Sequence, residues 1–157
     1  MCPMCSLEGG TGSLSRQQEM PDFLPDRLEA GTQNVHGAAG LLAGIRFVRQ
    51  QGVARIARQE AAVIRALGDG LSTMKGLRVF RKPGVDSSVL SVLPERMDPE
   101  ALAARLASDG VALRAGLHCA PLAHMTAGTI ETGTLRFSAS VFNTMDEVEQ
   151  VLRLLQS

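Results

Sequence analysis

The stretch DPEALAARLASDGVALR (residues 98–114) contains one helix with both ends marked, followed by an extended run. Asp98 is a favoured N-cap residue, Pro99 suits the first helical position, and Gly110 is the residue expected just after a helix ends. The leucines between them recur one turn apart and predict a buried stripe. Residues 111–114 are then predicted to form a strand, so helix and strand alternate over short distances here.

Outward from this stretch, apolar spacing predicts further elements on both sides. The predicted helices are residues 36–49, 56–71 and a last helix opened by a capping box at 144–147, and the predicted strands are 77–81, 88–93 and 134–138. A long loop, residues 115–133, separates the last two strands. The order ααββαββα implies an α+β fold, in which helices pack on one face of a mainly antiparallel sheet.

Composition excludes several classes of partner for this chain of 157 residues. Lys plus Arg and Asp plus Glu both number 16, and no run of like charge exceeds two residues, so no surface for nucleic acid or anionic lipid is predicted. No apolar run is long enough to cross a bilayer, and no secretory leader is recognisable. We therefore expect a soluble, cytoplasmic protein that binds a small molecule or another protein.

The first 35 residues have no sustained helical or strand period, which predicts an irregular segment. Cys2 and Cys5 have the spacing of a zinc or dithiol pair, but no second pair lies near them. The histidines at 36, 118 and 124 do not complete a ligand set either. Exposed, reduced thiols are the expected state of Cys2 and Cys5, and no metal site is predicted.

The densest group of polar side chains is RAGLHCAPLAH, residues 114–124. Cys119 leaves a predicted strand beside Arg114 and His118, and positive neighbours favour the thiolate that a cysteine nucleophile requires. On spacing alone, the simpler interpretation is a small buried Cys119 with a surface His118. Arg136 is likewise a plain solvated strand residue if only its neighbours are considered, so the residues by themselves leave both interpretations open.

Several motifs in one order resemble the cysteine desulfurases of the class V aminotransferase superfamily. They are GGTGS (9–13), PDRLEAGTQN (25–34), RAGLHCAPLAH (114–124), GT (128–129), TGTLRFS (132–138) and FNT (142–144). The resemblance extends from residue 9 to the last helix. It implies that residues 36–157 are the inter-domain helix and small C-terminal domain of a fold-type-I pyridoxal-phosphate enzyme. Residues 1–35 would then belong to a large domain that is missing.

The resemblance also implies a role for individual side chains. Cys119 would take sulfur from L-cysteine held on pyridoxal phosphate, becoming a persulfide while alanine is released. Arg136 would pair with the substrate carboxylate, which suits a planar and permanently charged group. Arg114 and His118 are expected to shape the substrate and thiol surroundings. Thr32 would reach the cofactor phosphate of a neighbouring subunit.

The sequence departs from the family pattern in one decisive place. No lysine follows the expected large-domain strand, and Lys75 and Lys82, the two lysines of the sequence, are predicted to be solvated surface residues. We therefore expect a truncated chain that does not bind pyridoxal phosphate by itself and is inactive alone. Gln33 stands where the family often has proline, which weakens the expected phosphate contact at Thr32.

Two other functions stay open from the sequence. One is another class V enzyme, such as a selenocysteine lyase or an aminotransferase-like protein. The other is a non-catalytic interaction module that pairs with a large-domain chain. For a cysteine desulfurase, a sulfur-acceptor protein is an expected partner. The small-residue face of residues 36–49 would be left uncovered, so we also expect a homo-oligomer or a pairing with a large-domain chain.

Overall fold

The computed structural model describes Leu14, Arg16 and residues 20–82 and 84–156. The chain forms two compact units, Met1–Gln50 and Gln51–Ser157, each of which is considered by itself. The segment that carries Cys2, Cys5 and the residue 9–13 motif lies outside the described residues. The predicted site residues 114–136 all belong to the second unit.

In the first unit, a short 3-10 helix at Asp26–Leu28 is followed by helix α1, Val35–Gln51. Asn34 caps α1, since its Oδ1 accepts a hydrogen bond from the Gly37 N–H at 2.9 Å. None of the α1 side chains is buried, and Leu41 is 66% exposed. This helix confirms the element predicted at residues 36–49 and leaves its apolar side chains exposed.

The described part of the second unit contains a four-stranded sheet and four helices. In chain order they are α2 (Val53–Ser72), β1 (Leu77–Phe80), β2 (Val89–Pro94), α3 (Pro99–Ser108), β3 (Arg114–Gly116), α4 (Pro121–Ala127), β4 (Thr134–Ser138) and α5 (Met145–Gln156). The strands lie in the order β1-β2-β4-β3, and every neighbouring pair is antiparallel. The predicted α+β fold is confirmed.

The core lies between one face of the sheet and helices α2, α3 and α5. Its least exposed members are aliphatic and come from both layers: Leu71, Leu90, Val92, Leu106 and Leu135. Because side chains alternate along a strand, the same register sends Ser91 and Arg136 to the opposite face. The helices therefore cover one face, and the polar residues of β4 are presented on the other.

Local capping chemistry fixes the two helices whose starts the sequence marks. Asp98 Oδ1 accepts from the N–H groups of Glu100 and Ala101 at 2.9 and 3.0 Å. At α5, the Glu147 carboxylate accepts from the Thr144 N–H at 2.8 Å, and Thr144 Oγ1 accepts in return from the Glu147 N–H at 3.3 Å. This reciprocal pair is the predicted capping box, so the FNT motif shapes the β4–α5 turn.

Two elements differ from the sequence prediction. Strand β3 starts at Arg114 and not at residue 111, because the Val111 N–H donates back to Leu106 O at 2.9 Å in a Schellman closure of α3. The segment 115–133, predicted as irregular, contains α4. Pro121 in the first turn of α4 and Gly128, with φ 68° at its C-cap, mark both ends of this short helix.

Candidate functional site

The open face of the sheet places two arginines directly opposite each other. Arg136 of β4 pairs with Arg114 of β3 on one side and with Ser91 of β2 on the other. Its chain neighbours, Leu135 and Phe137, are buried in the core on the opposite face. Like charges at directly opposed positions are unfavourable in a sheet. The pair therefore concentrates positive charge at one place on this face.

In the described part of the chain, the ion pairs form elsewhere, and neither of these arginines takes part in one. Three buried side-chain atoms among the described residues have no hydrogen-bond partner: His118 Nδ1, Thr134 Oγ1 and Arg136 Nε. Thr134 and Arg136 share a strand face, and His118 contacts Thr134. Because buried polar atoms are nearly always paired, three unpaired ones at one place indicate a site for a polar ligand or water.

Cys119 lies in a tight turn at residues 117–120. The Ala120 N–H donates to Leu117 O at 2.9 Å, and the two central residues, His118 and Cys119, have φ values of 51° and 58°. Positive φ at both central positions defines a type I′ turn, which normally holds Asn or Gly. The thiol of Cys119 is free and exposed. The free thiol of Cys119 thus belongs to a residue with a strained backbone at the surface.

The His118 ring links this turn to β4. Its Nε2 lies 3.0 Å from the Thr134 carbonyl oxygen, which can only accept, so Nε2 carries the proton and donates. Partial burial is the main cause that lowers the pKa of His118 below its ordinary value of 6.5. The positive charges of Arg136, His124 and Arg114 lower it further, whereas the bond to Thr134 raises it. The neutral ring is therefore favoured.

The chain leaves and re-enters the sheet at nearly the same point. Gly116 ends β3 and pairs with Thr134, and a Cβ on Gly133 would lie 2.5 Å from the Gly116 carbonyl carbon. Between them, the excursion (residues 117–133) carries the turn and α4. Arg78 projects from the open face of β1 and donates to Ala127 O at 2.6 Å. This bond holds the end of α4 over the face that bears the arginines.

His124 of α4 is a second histidine near the thiol turn. It is 7% exposed, its Nδ1 lies 2.8 Å from Thr129 Oγ1, and its ring centroid is 6.0 Å from that of His118. Thr129 is itself buried and donates its N–H to His124 O at 2.8 Å. These bonds close the C-terminal end of α4, so His124 is fixed within the excursion.

The structure brings together four of the five predicted site residues. Cys119, His118, Arg114 and Arg136 lie on the excursion and the two strands that it joins. Thr32 belongs to the other unit, where it is exposed after Gly31. The roles of all five residues stay predictions.

The sequence prediction did not include three contributors: Thr134, Arg78 and His124. In the sequence, Thr134 was indicated only by its place in the TGTLRFS motif. The partners of Arg78 and His124 depend on the fold of the excursion.

The described residues contain no group of three His, Cys, Asp or Glu side chains that could hold a metal ion. Among the helices of the described part, none combines the length and apolarity that crossing a bilayer requires. Lys75 and Lys82 are both exposed. A lysine that forms an imine with pyridoxal phosphate requires a desolvated or charge-tuned pocket. The lysines present do not fit that cofactor.

A family model for the class-V aminotransferases matches residues 3–151. The chain belongs to the class-V aminotransferase family. Among curated class-V relatives, a probable cysteine desulfurase of Xylella fastidiosa is 31% identical over 169 residues, which cover 93% of this chain and 40% of the relative. A cysteine desulfurase of Synechococcus elongatus is 38% identical over 125 residues, which cover 80% of this chain and 20% of the relative.

The solved structures lead to the same group of class-V enzymes. The apo cysteine desulfurase of Thermococcus onnurineus superposes with a TM-score of 0.79 at 32% identity, over 94% of this chain and 37% of that one. The resemblance to cysteine desulfurases is therefore shown in both sequence and fold. It extends over most of this chain but over two fifths or less of each of these relatives.

Replacing Arg136 by methionine is expected to stabilise this class-V chain. The Arg136→Met substitution keeps an unbranched side chain but removes the charge opposite Arg114 and the unpaired Nε–H. We expect the free energy of unfolding to rise by about 1 kcal/mol. Urea unfolding followed by circular dichroism at low salt measures the change. Arg153→Met, which alters an exposed arginine of α5, should shift stability by less than about 0.5 kcal/mol. An unchanged or lower stability of Arg136→Met would contradict the expectation.

The lowered pKa of His118 predicts a pH dependence of stability. The pKa of His118 is near 6.5 in the unfolded chain and lower in the folded one. At pH values between these two pKa values, the native state therefore binds fewer protons than the unfolded state. Stability should therefore fall as the pH drops below about 6.5. Melting temperatures at pH 7.5 and 5.0 measure this loss, which should be smaller in His118→Asn. The pKa of Glu147, lowered from 4.5 by the Thr144 N–H, contributes at more acidic pH. An equal loss in both proteins would contradict the assignment.

Proposed function

We propose that this chain forms the sulfur-accepting part of a cysteine desulfurase. In the overall reaction, the Cys119 thiol and L-cysteine give a Cys119 persulfide and alanine, so only sulfur stays on the protein. The observation that supports this most is the exposed Cys119 thiol in a strained turn, beside a sheet face whose two arginines form no ion pair with any described residue. Strained backbone at a surface nucleophile is typical of functional sites.

The two arginines are proposed to recognise the substrate carboxylate. Arg136 is the main candidate, because its buried Nε–H is unpaired and a guanidinium can bind a carboxylate through two parallel hydrogen bonds. Arg114, directly opposite, adds positive charge to the same place. His118 contributes a neutral ring whose Nδ1 can accept a hydrogen bond. An amino acid, with its carboxylate and ammonium groups, is the class of substrate that these groups match.

Pyridoxal phosphate supplies the electron sink for carbon–sulfur cleavage in enzymes of this group. Because both lysines here are exposed, we propose that the chain by itself neither holds this cofactor covalently nor turns over cysteine. Thr32 is proposed to contact the cofactor phosphate of a neighbouring subunit. Incubating the chain with L-cysteine and pyridoxal phosphate should therefore release no alanine. Catalytic alanine release by the chain alone would contradict this part of the proposal.

A chimera tests the sulfur-accepting role directly. Residues 36–157 would replace the corresponding part of the Thermococcus onnurineus enzyme, and the rest of that enzyme is expected to supply the cofactor lysine. We expect alanine from L-cysteine and a persulfide on Cys119, detected by mass spectrometry. The Cys119→Ala chimera should show the same cofactor absorbance but form no alanine from L-cysteine. A chimera that binds cofactor yet cleaves no cysteine would contradict the proposal.

The same chimera separates the alternative class-V activities. An aminotransferase-like protein does not need the thiol, so its activity would survive Cys119→Ala. A selenocysteine lyase would process L-selenocysteine in preference to L-cysteine. If the chimera with Cys119 turns over L-cysteine and the Cys119→Ala chimera does not, the activity is that of a cysteine desulfurase.

The exposed lysines also favour a second candidate, a non-catalytic module that pairs with a large-domain chain. Co-purification with such a chain, without a gain in alanine release, would support that function. Self-association is proposed as well, because α1 exposes Leu41, Leu42 and Ile45. Light scattering should then give a mass of a dimer or larger, and a monomer would contradict it. A sulfur-acceptor protein is the proposed downstream partner of the Cys119 persulfide.

A further inference from the structure

The left-handed conformation of the thiol turn needs a physical cause outside the turn. Left-handed backbone costs an L-residue other than glycine roughly 1–2 kcal/mol. Here two such residues, His118 and Cys119, adopt it in succession. Conformations of this kind persist only where the surrounding structure holds them. The turn must therefore be tied to a rigid part of the fold.

The His118 ring provides that tie. Among the described residues, its bond to Thr134 O at 3.0 Å is the side-chain hydrogen bond that joins residues 117–120 to the sheet. Thr134 begins β4 and pairs with Gly116, the residue just before the turn. The ring thus spans from the turn to the strand that also carries Arg136. Through this donor group, the turn that carries the thiol is tied to the strand that carries the guanidinium.

The charges around His118 are all positive or neutral. Arg114, Arg136 and His124 are the titratable groups that act on it electrostatically. The sheet register places both arginines on the open face, and their charges are not neutralised by any carboxylate in the described part of the chain. Because Cys119 directly follows His118 in this turn, we expect its thiol to lie within the same positive field. A thiol released from the turn would sample the solvent and lose that field within a Debye length.

We propose that His118 is a positioning residue, whose hydrogen bond to Thr134 O holds the left-handed turn and keeps the Cys119 thiol in the field of Arg114 and Arg136. This role deepens the proposed function and rests on it for the identity of the reactive thiol. It goes beyond the expectation that His118 shapes the surroundings of the substrate and the thiol, because it names the bond through which His118 would act. The ring acts through the backbone of the turn, and the thiol remains the group that reacts.

Charge selectivity of the thiol provides the test. Iodoacetate is an anion and iodoacetamide is neutral, but both alkylate thiolates by the same chemistry. The rate with iodoacetate divided by the rate with iodoacetamide therefore reports the local field, and a positive field raises this ratio. Trypsin releases residues 115–136 as one peptide in which Cys119 is the only cysteine, so mass spectrometry follows this thiol separately from Cys2 and Cys5. The same chain unfolded in urea gives the reference ratio. We expect this rate ratio to be at least about threefold higher in the folded chain than in the unfolded one. A single positive charge roughly 7 Å from the anionic reagent in water would produce an effect of this size.

Two substitutions of the same residue separate positioning from folding. His118→Gly suits positive φ but removes the donor, whereas His118→Gln keeps a side-chain N–H at about the reach of the ring Nε2–H. We expect the ratio to fall to the unfolded value in His118→Gly and to stay near the wild-type value in His118→Gln. Salt at about 1 M, where the Debye length is about 3 Å, should abolish the selectivity of both the wild-type chain and His118→Gln.

Hydrogen exchange of the Ala120 amide checks the turn independently. Ala120 donates the hydrogen bond that closes the turn, so its exchange should speed up in His118→Gly, while the amides of Leu135 and Phe137 in β4 stay protected. A wild-type ratio no higher than the unfolded reference would overturn the proposal. An unchanged ratio in His118→Gly, or equal losses in His118→Gly and His118→Gln, would overturn it too. These readouts need no catalysis, so a chimera that fails to release alanine leaves them interpretable.

Discussion

Gly133→Ala is expected to destabilise the Gln51–Ser157 unit by at least about 3 kcal/mol. Gly133 has φ 68°, which an alanine adopts only with strain. In addition, its new Cβ would lie 2.5–2.7 Å from the backbone carbon, Cα and oxygen of Gly116. Backbone atoms in a sheet register cannot move aside as a flexible side chain can. Relief would require β3 and β4 to separate at the base of the excursion.

Gly128→Ala is the matched control for this prediction. Gly128 has the same φ of 68°, but an added Cβ there would meet nothing within 4 Å. This substitution isolates the backbone strain, which we expect to be worth about 1 kcal/mol. Urea unfolding of both variants measures the difference, which reports the contact with Gly116. Equal losses in the two variants would show that the close approach has no energetic effect.

Leu135→Ala is expected to cost about 3 kcal/mol of unfolding free energy. Leu135 is 1% exposed and lies in the core between the two site residues of β4, Thr134 and Arg136. Its truncation leaves a cavity directly beneath the strand that carries the guanidinium. The loss should be visible in both thermal and urea unfolding of the chain.

Leu122→Ala serves as the control for the core truncation. Leu122 is 76% exposed on α4, so the same chemical change removes almost no buried surface. We expect its stability to stay within about 0.5 kcal/mol of the wild-type chain. A large loss from Leu122→Ala would mean that α4 packs against something that the described contacts omit. A small loss from Leu135→Ala would mean that β4 can collapse onto the cavity.

The elements that the sequence predicts best are those decided by neighbouring residues. The N-cap at Asp98 and the capping box at Thr144 and Glu147 depend on side chains within three positions of the backbone groups they satisfy. Alternation along β4 likewise separates Leu135 and Phe137 from Arg136 before any tertiary contact is known. Local hydrogen bonding and strand geometry are sufficient for these predictions.

The features that the sequence did not predict depend on distant partners. The opposition of Arg114 and Arg136 follows from a register set across 21 residues of intervening chain. The handedness of the thiol turn is not indicated by His118 and Cys119, since neither is the usual Asn or Gly of a type I′ turn. Helix α4 is the exception, because Pro121 and Gly128 mark its ends in the sequence. The likeness to cysteine desulfurases supplied the candidate residues of the site, and the structure adds how they are held.

The close approach of Gly116 and Gly133 holds the two ends of the excursion side by side at the edge of the sheet. Because this approach does not involve the residues between them, the pairing of β3 with β4 does not depend on the length of the excursion. For a flexible loop, doubling the number of residues adds only about 0.6 kcal/mol of closure entropy. An insertion or deletion in the excursion can therefore change how far the Cys119 sulfur extends from the protein, while the register of β3 and β4 stays the same.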